Sequence, residues 1–250
     1  MSDPILLAGF VFVTYLIAGT IKGTLGVGLP TTALTIMTFF LSPFQALAIN
    51  LVPMFITNIW QFSRAENLIL LMKRYAFFAV GLSVAIFGFS FVTVQLSSNG
   101  VRMAVAGAVI IFAVYNMVQR PFILSQAHDK GWQLLFGTMA GVMGALTSMW
   151  AVPLVMYLLS RKLSPREFVD AAGFLLLVGC IPLSVGYFYT GLVSADVTWP
   201  AIAGTIGSLG GFQIGVRLRG LINADLFKKI LLWFFLLMGV RMAIVAISAL

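Results

Sequence analysis

Gly19-Thr20-Ile21-Lys22-Gly23-Thr24-Leu25-Gly26-Val27-Gly28-Leu29-Pro30 has a counterpart in the second half of the chain, Gly137-Thr138-Met139-Ala140-Gly141-Val142-Met143-Gly144. Glycine, threonine, glycine and glycine recur at the same spacing. The first block reaches Pro30 directly, whereas the second reaches Pro153 through Ala145-Leu146-Thr147-Ser148-Met149-Trp150-Ala151-Val152. A short apolar segment and then a Ser-Pro pair, Ser42-Pro43 or Ser164-Pro165, follows each. Small residues four apart are common in membrane helices because they let two backbones approach. One copy would therefore say little. Two copies in register, each feeding a truncated segment, imply a duplicated architecture.

The composition around these blocks fixes the medium. Of 250 residues, 61% are hydrophobic and 9% charged, with a mean hydropathy of +1.06. Soluble domains carry about 25% charged residues, so a soluble protein is excluded. Ten apolar segments are read: Pro4–Gly26, Leu29–Leu41, Pro43–Phe62, Tyr75–Leu96, Val101–Val118, Trp132–Ala145, Ala151–Leu159, Pro165–Tyr189, Val197–Val216 and Leu226–Leu250. Backbone polar groups in lipid must be satisfied internally, by a helix or a closed barrel. Runs such as Ile230-Leu231-Leu232-Trp233-Phe234-Phe235 lack the period-two alternation of barrel strands. Pro4, Pro43 and Pro165 fall where a helix accepts proline, in its first turn. The expectation is an all-α integral membrane protein.

The net charge of +8 reports topology rather than nucleic-acid binding. Gaps around Arg64, Lys73 and Arg74, around Arg161, Lys162 and Arg166, and around Arg217, Arg219, Lys228 and Lys229 are expected in the cytoplasm. The gaps at Ser42-Pro43, Ser97-Ser98-Asn99 and Thr190–Asp196 are poor in Lys and Arg and are expected outside; Arg102 is the discordant charge. Arg120 and Lys130 place the midpoint linker inside. The expected organisation is a first repeat over 1–120, a cytoplasmic linker over 121–131 and a second, inverted repeat over 132–250. Each repeat has five segments, the first two short or interrupted, and both termini lie outside. Met1-Ser2-Asp3-Pro4 carries no Lys or Arg, which argues against a cleavable leader. Inverted repeats with interrupted segments are the plan of secondary transporters, whose sites form where those segments lie.

Several polar residues inside the apolar segments are candidates for binding an anion. Lys22 either meets an anion, because charges within spans usually face a cavity or a partner, or snorkels to the interface. Gly23, Gly26 and Gly28, and Gly141 and Gly144 in the second copy, would offer backbone N–H groups to the same anion. Thr31, Thr32, Thr147 and Ser148 sit where interrupted helices begin. Their hydroxyls either join an oxyanion site or merely cap helices. Asn50, Asn58 and Gln61 share one helical face by spacing, for binding or for interhelical hydrogen bonds. Trp150 either walls a pocket or anchors at the interface. Arg241 is an anion-attracting charge or half of a buried pair. Asp170 is read chiefly as a partner of Arg166, one turn earlier, with proton coupling the alternative, and Glu66 and Glu167 belong to cytoplasmic helix ends.

Nothing in the sequence assembles catalysis, a metal site or a cofactor site. The one histidine, His128, lies in a polar gap; Cys180 is a lone cysteine within an apolar run, and no Walker lysine follows the glycines.

The two glycine blocks and their prolines resemble those of the sulfite exporter TauE/SafE family of membrane permeases, a likeness running from about Leu6 to Ala249. The resemblance implies a transporter of sulfur-containing anions, organosulfonates or organic acids in a bacterial cytoplasmic membrane. Its expected partners are that small anion and the lipid bilayer, with self-association compatible and no nucleic acid. Family members usually carry a glycine-rich run before the second proline. Here Ala145–Trp150 stands in its place, implying a differently shaped pocket. The rival reading is a non-transporting assembly or sensor subunit whose glycines only pack helices.

Overall fold

A computed structural model describes residues 4–63, 65, 68–118, 124–161, 163–218, 221 and 224–248. Met1-Ser2-Asp3, Arg64, Glu66, Arg120, Lys162 and Arg219, on which parts of the sequence reading draw, lie outside the described residues, as does the side chain of Lys228. Every regular element among the described residues is helical. The helices are α1 (Pro4–Leu25), α2 (Leu29–Met37), α3 (Pro43–Phe62), α4 (Leu68–Arg74), α5 (Ala76–Thr93), α6 (Ser98–Val118), α7 (Asp129–Thr147), α8 (Ala151–Leu159), α9 (Pro165–Tyr189), α10 (Thr198–Leu218) and α11 (Ala224–Ser248). Five of them, the bulk of α1, α5, α6, α9 and α11, are long and apolar enough to cross a membrane.

The breaks follow local chemistry. α1 ends where Gly26 and Gly28 adopt left-handed φ of 83° and 103°, which an L side chain resists, and Pro30 sits in the first turn of α2. α7 ends at Ser148, which holds φ 53° without being glycine. α8 starts three residues later and, like α2, has nine residues. Ser164 and Glu167 close a capping box at the start of α9, each side chain meeting the other's backbone N–H.

Three departures from the sequence reading stand out. The second segment stops at Met37, with 38–41 turning, so α2 is shorter than the apolar run. The polar stretch 119–130 ends in helix, since α7 begins at Asp129 after a 3-10 turn over Gln126–His128. α4 is an addition, in what had been read as a gap.

The chain forms two compact units: Met1–Thr57 with Leu96–Val118 and Gly191–Leu250, and Asn58–Gln95 with Gln119–Thr190. In the first unit α1 and α10 run parallel, backbone against backbone. A Cβ on Gly19 or Gly23 would strike the Ser208 or Phe212 carbonyl, and one on Gly207, Gly211 or Gly215 would strike Phe12, Leu16 or Thr20. α6 and α11 pack through Gly239 against Val109 and Ile110 and through an edge-on Phe112–Phe235 contact at 5.8 Å. In the second unit α5 and α7 run parallel in the same manner. Gly137 meets Phe78, Gly141 meets Leu82 and Ala85, and Gly81 meets Leu134 and Thr138. With no hydrophobic drive between helices in lipid, such close approach is what dispersion requires.

Candidate functional site

The sequence candidates divide between the units, and each set is built locally. In the first unit, Lys22 lies in the last turn of α1 and is only 2% exposed. Its Nζ donates to Thr57 Oγ1 at 3.1 Å. The Thr57 hydroxyl faces the Pro53 carbonyl at 2.8 Å and the Met54 carbonyl at 3.1 Å, so it donates backwards while accepting from the lysine. Pro53 lies inside α3 and supplies no N–H, which perturbs the helical ladder there. A cation in the last turn of α1 also faces the negative end of that helix. No Asp or Glu occurs between Pro4 and Ala65, so this buried lysine sits in a stretch free of carboxylates.

Beyond Lys22 the chain passes Gly26 and Gly28 and re-enters helix. A Cβ on Gly26 would meet nothing within 4 Å, unlike Gly23, whose hydrogen faces α10. Thr31 and Thr32 are buried at the start of α2, and the Thr32 N–H donates to the Gly28 carbonyl at 2.9 Å. Thr32 Oγ1 donates to the Gly28 carbonyl at 2.8 Å, and Thr35 Oγ1 donates to the Thr31 carbonyl at 2.7 Å. Asn50 is fully buried, accepts from the Tyr15 hydroxyl at 2.8 Å and points Nδ2 at the Met54 sulfur at 3.7 Å. Arg241 is exposed on α11 and stacks over the Phe39 ring at 4.7 Å.

The second unit carries the other set. The carbonyl of Ala145, left over where α7 ends, accepts from Thr93 Oγ1 at 2.8 Å and from the Tyr187 hydroxyl at 2.6 Å. Thr147 Oγ1 donates to the Met143 carbonyl at 2.6 Å and accepts from the Met149 N–H at 3.2 Å. Ser148 Oγ, buried near the Tyr187 hydroxyl, has no partner of hydrogen-bonding geometry among the described residues. Trp150 is buried at the N-cap of α8. Its ring is wedged between Gly144 and Gly179, where an added Cβ would come within 2.9 and 2.8 Å of the indole, and its Nε1 is likewise without a partner. Gly141 packs on α5. Asn58 Nδ2 donates to the Leu176 carbonyl at 3.3 Å and to the Cys180 sulfur at 3.2 Å, while Gln61 reaches the Val169 carbonyl at 3.5 Å. The face shared by Asn50 and Asn58 is therefore split: each serves a different unit.

One polar network had no signal in the sequence. Asp129, at the start of α7, accepts from the Tyr157 hydroxyl and Gln133 Nε2, both at 2.8 Å, and pairs with Arg161 at 2.6 Å. Gln133 also donates to the Arg74 carbonyl and accepts from the Phe78 N–H, tying α7 to the start of α5. Arg161 lies over the Tyr157 ring at 4.8 Å. Burial raises the nearby Tyr75 phenol above its ordinary value, so it stays neutral. Thr57, likewise missed, could have been noticed only as a hydroxyl one turn beyond a mid-helix proline.

The twice-broken apolar architecture agrees with what a comparison with family models found: residues 11–242 match Sulfite exporter TauE/SafE. The chain belongs to the TauE/SafE sulfite exporter family. No curated protein and no solved structure matches it. TauE/SafE proteins are membrane transporters, so multi-pass membrane insertion and a transport role come with membership.

Proposed function

We propose that this TauE/SafE member is a secondary transporter or facilitator for a small anion: sulfite, thiosulfate, an organosulfonate or a related organic acid. It would act across the bacterial cytoplasmic membrane by alternating access between two inverted repeats. Lys22 carries the reading. A lysine 2% exposed stands in the last turn of α1, just before the Gly26–Gly28 break, and a charge within a span usually faces a cavity or a partner. Gly26, Gly28, Thr31 and Thr32 would complete the anion's surroundings in the first unit. Thr147, Ser148 and Trp150 form a separate candidate set within the second unit, where Trp150 Nε1 is buried without a hydrogen-bond partner among the described residues.

The repeat boundaries 1–120, 121–131 and 132–250, and external termini, remain part of the proposal. Support comes from two reciprocal packings. α1 with α10 and α7 with α5 each pair the first segment of one repeat with the fourth segment of the other, in parallel, through equivalent glycines. The two nine-residue helices add to it. A membrane potential negative inside favours anion efflux by ~2.3 kcal/mol per charge per 100 mV, so export needs no coupling ion.

Purified protein in liposomes should accelerate efflux of labelled sulfite, thiosulfate or an organosulfonate, the rate responding to imposed voltage. The rival assembly-subunit reading has its own support, since Gly23 and Gly141 are occupied by helix contact. Folded protein that moves none of these anions would decide for it.

A further inference from the structure

The second unit holds a pocket of about 180 Å3 between α4 and the first turns of α9. Leu70, Leu71 and Arg74 line one side and Arg166, Glu167 and Asp170 the other. Both features of this place are unusual. α4 reads Leu68-Ile69-Leu70-Leu71-Met72-Lys73-Arg74, and none of its residues is buried; Ile69 is 72% exposed and Leu70 61%. A seven-residue helix has too few turns to persist unaided, and this one turns bare aliphatic side chains outward. Apolar residues followed at once by two cations match a segment lying at a bilayer surface, chains below and headgroups alongside.

The pocket beside it carries both signs of charge. Arg74 and Glu167 Oε1 are 3.9 Å apart and each side chain is about half exposed, so their mutual attraction is weak and leaves Arg74 and that oxygen open to a third group. Glu167 Oε2 accepts from Ser164 in the capping box. A headgroup bearing only negative charge would meet Glu167 and Asp170 as well as the two arginines. One that carries phosphate and a primary ammonium presents an opposite charge to each pair. The volume suits such a headgroup but not its acyl chains, for which the exposed face of α4 is the adjoining apolar surface.

The geometry points to a binding site for a zwitterionic aminophospholipid: phosphate on Arg74 and Arg166, ammonium on Glu167 and Asp170, acyl chains along Ile69 and Leu70. The site is independent of the anion reading above.

Native mass spectrometry of the full chain in detergent, after incubation with phosphatidylethanolamine, phosphatidylglycerol and phosphatidylcholine of identical chains, tests it. Phosphatidylethanolamine should be retained about five-fold over the others, because phosphatidylglycerol lacks the cation and the trimethylated ammonium of phosphatidylcholine has no N–H to donate. The double variant Arg74→Gln/Glu167→Gln should erase the preference. Glutamine at 167 still closes the capping box, and size-exclusion elution of that variant checks folding. Ile69→Ser/Leu70→Ser should lower retention of all three lipids. Soluble glycerophosphoethanolamine should not compete. Equal retention of the three lipids, a preference that survives the double variant, or full competition by the soluble headgroup would each overturn the proposal.

Discussion

Gly141→Ala probes the parallel seam between α5 and α7. The added methyl would stand 2.5 Å from Ala85 Cβ and 2.7 Å from the Leu82 carbonyl oxygen. Carbon atoms settle at about 3.5–4.0 Å, so the helices must part by roughly 1–1.5 Å at this level. Backbone cannot rotate out of the way as a side chain can. The seam loses contacts above and below, and overpacking of this severity costs about 3 kcal/mol. Replacing glycine by alanine within a helix returns about 1 kcal/mol of propensity, leaving a net loss of about 2 kcal/mol. For a chain of this size that lowers Tm by about 4–8 °C. Gly88 in α5 is the control, because a Cβ there meets nothing within 4 Å. Gly88→Ala keeps only the propensity gain and should raise Tm by about 2–4 °C. Thermal unfolding followed by the monodisperse fraction on size exclusion reads both. A Gly141→Ala protein as stable as Gly88→Ala would refute the close-packed seam.

Lys22→Met should fold normally and weaken anion affinity by ~10–100-fold, the loss of a charge-assisted hydrogen bond worth ~1.5–3 kcal/mol, with Lys22→Arg intermediate; concentration-dependent flux in liposomes measures it, and unchanged affinity would mark Lys22 as structural. Thr57→Val removes one acceptor of the Lys22 ammonium and should weaken affinity less than Lys22→Met, by roughly 3–10-fold. Cysteines at Ser98 and Ser194 should react with impermeant reagents from outside, and those at Ser63 and Ser160 only after permeabilisation; same-side labelling at Ser42 and Ser164 would contradict the inverted repeat. Arg161→Met leaves Asp129 without its cation and should destabilise by about 2 kcal/mol, below the 3–5 of a fully buried pair because Asp129 remains 36% exposed; chemical unfolding curves would show it.

Helix positions were readable because this chain writes its breaks in residues with narrow backbone options. Gly26, Gly28, Pro30, Pro43 and Pro165 each stand at a boundary. α4 escaped notice since five apolar residues flanked by Arg64, Glu66, Lys73 and Arg74 are too few to span and were read as a gap. Ser148 gave no warning either: serine at positive φ is held by its surroundings and has no intrinsic preference for it. The surroundings of Lys22 were hidden for a different reason. Its partner Thr57 lies on another helix, and pairing across helices leaves no periodic trace in one sequence. The same holds for Asp129, Tyr157 and Arg161, whose residue types are unremarkable until folding brings them within 3 Å.

The pairing of α1 with α10 sets a timetable for biosynthesis. At ~5–20 residues per second, roughly 190 residues of translation separate Gly19 from Ser208, which is ~10–40 s. Until then the bare glycine edge of α1 has only lipid, or the insertion machinery, beside it. α5 and α7 are some 50 residues apart and meet within seconds. The second unit is complete once Thr190 has been made, while the first waits for α11. A ribosome pause or truncation after α9 would thus release a chain with one finished half and one exposed, sticky helix, the species that membrane quality-control proteases would encounter first.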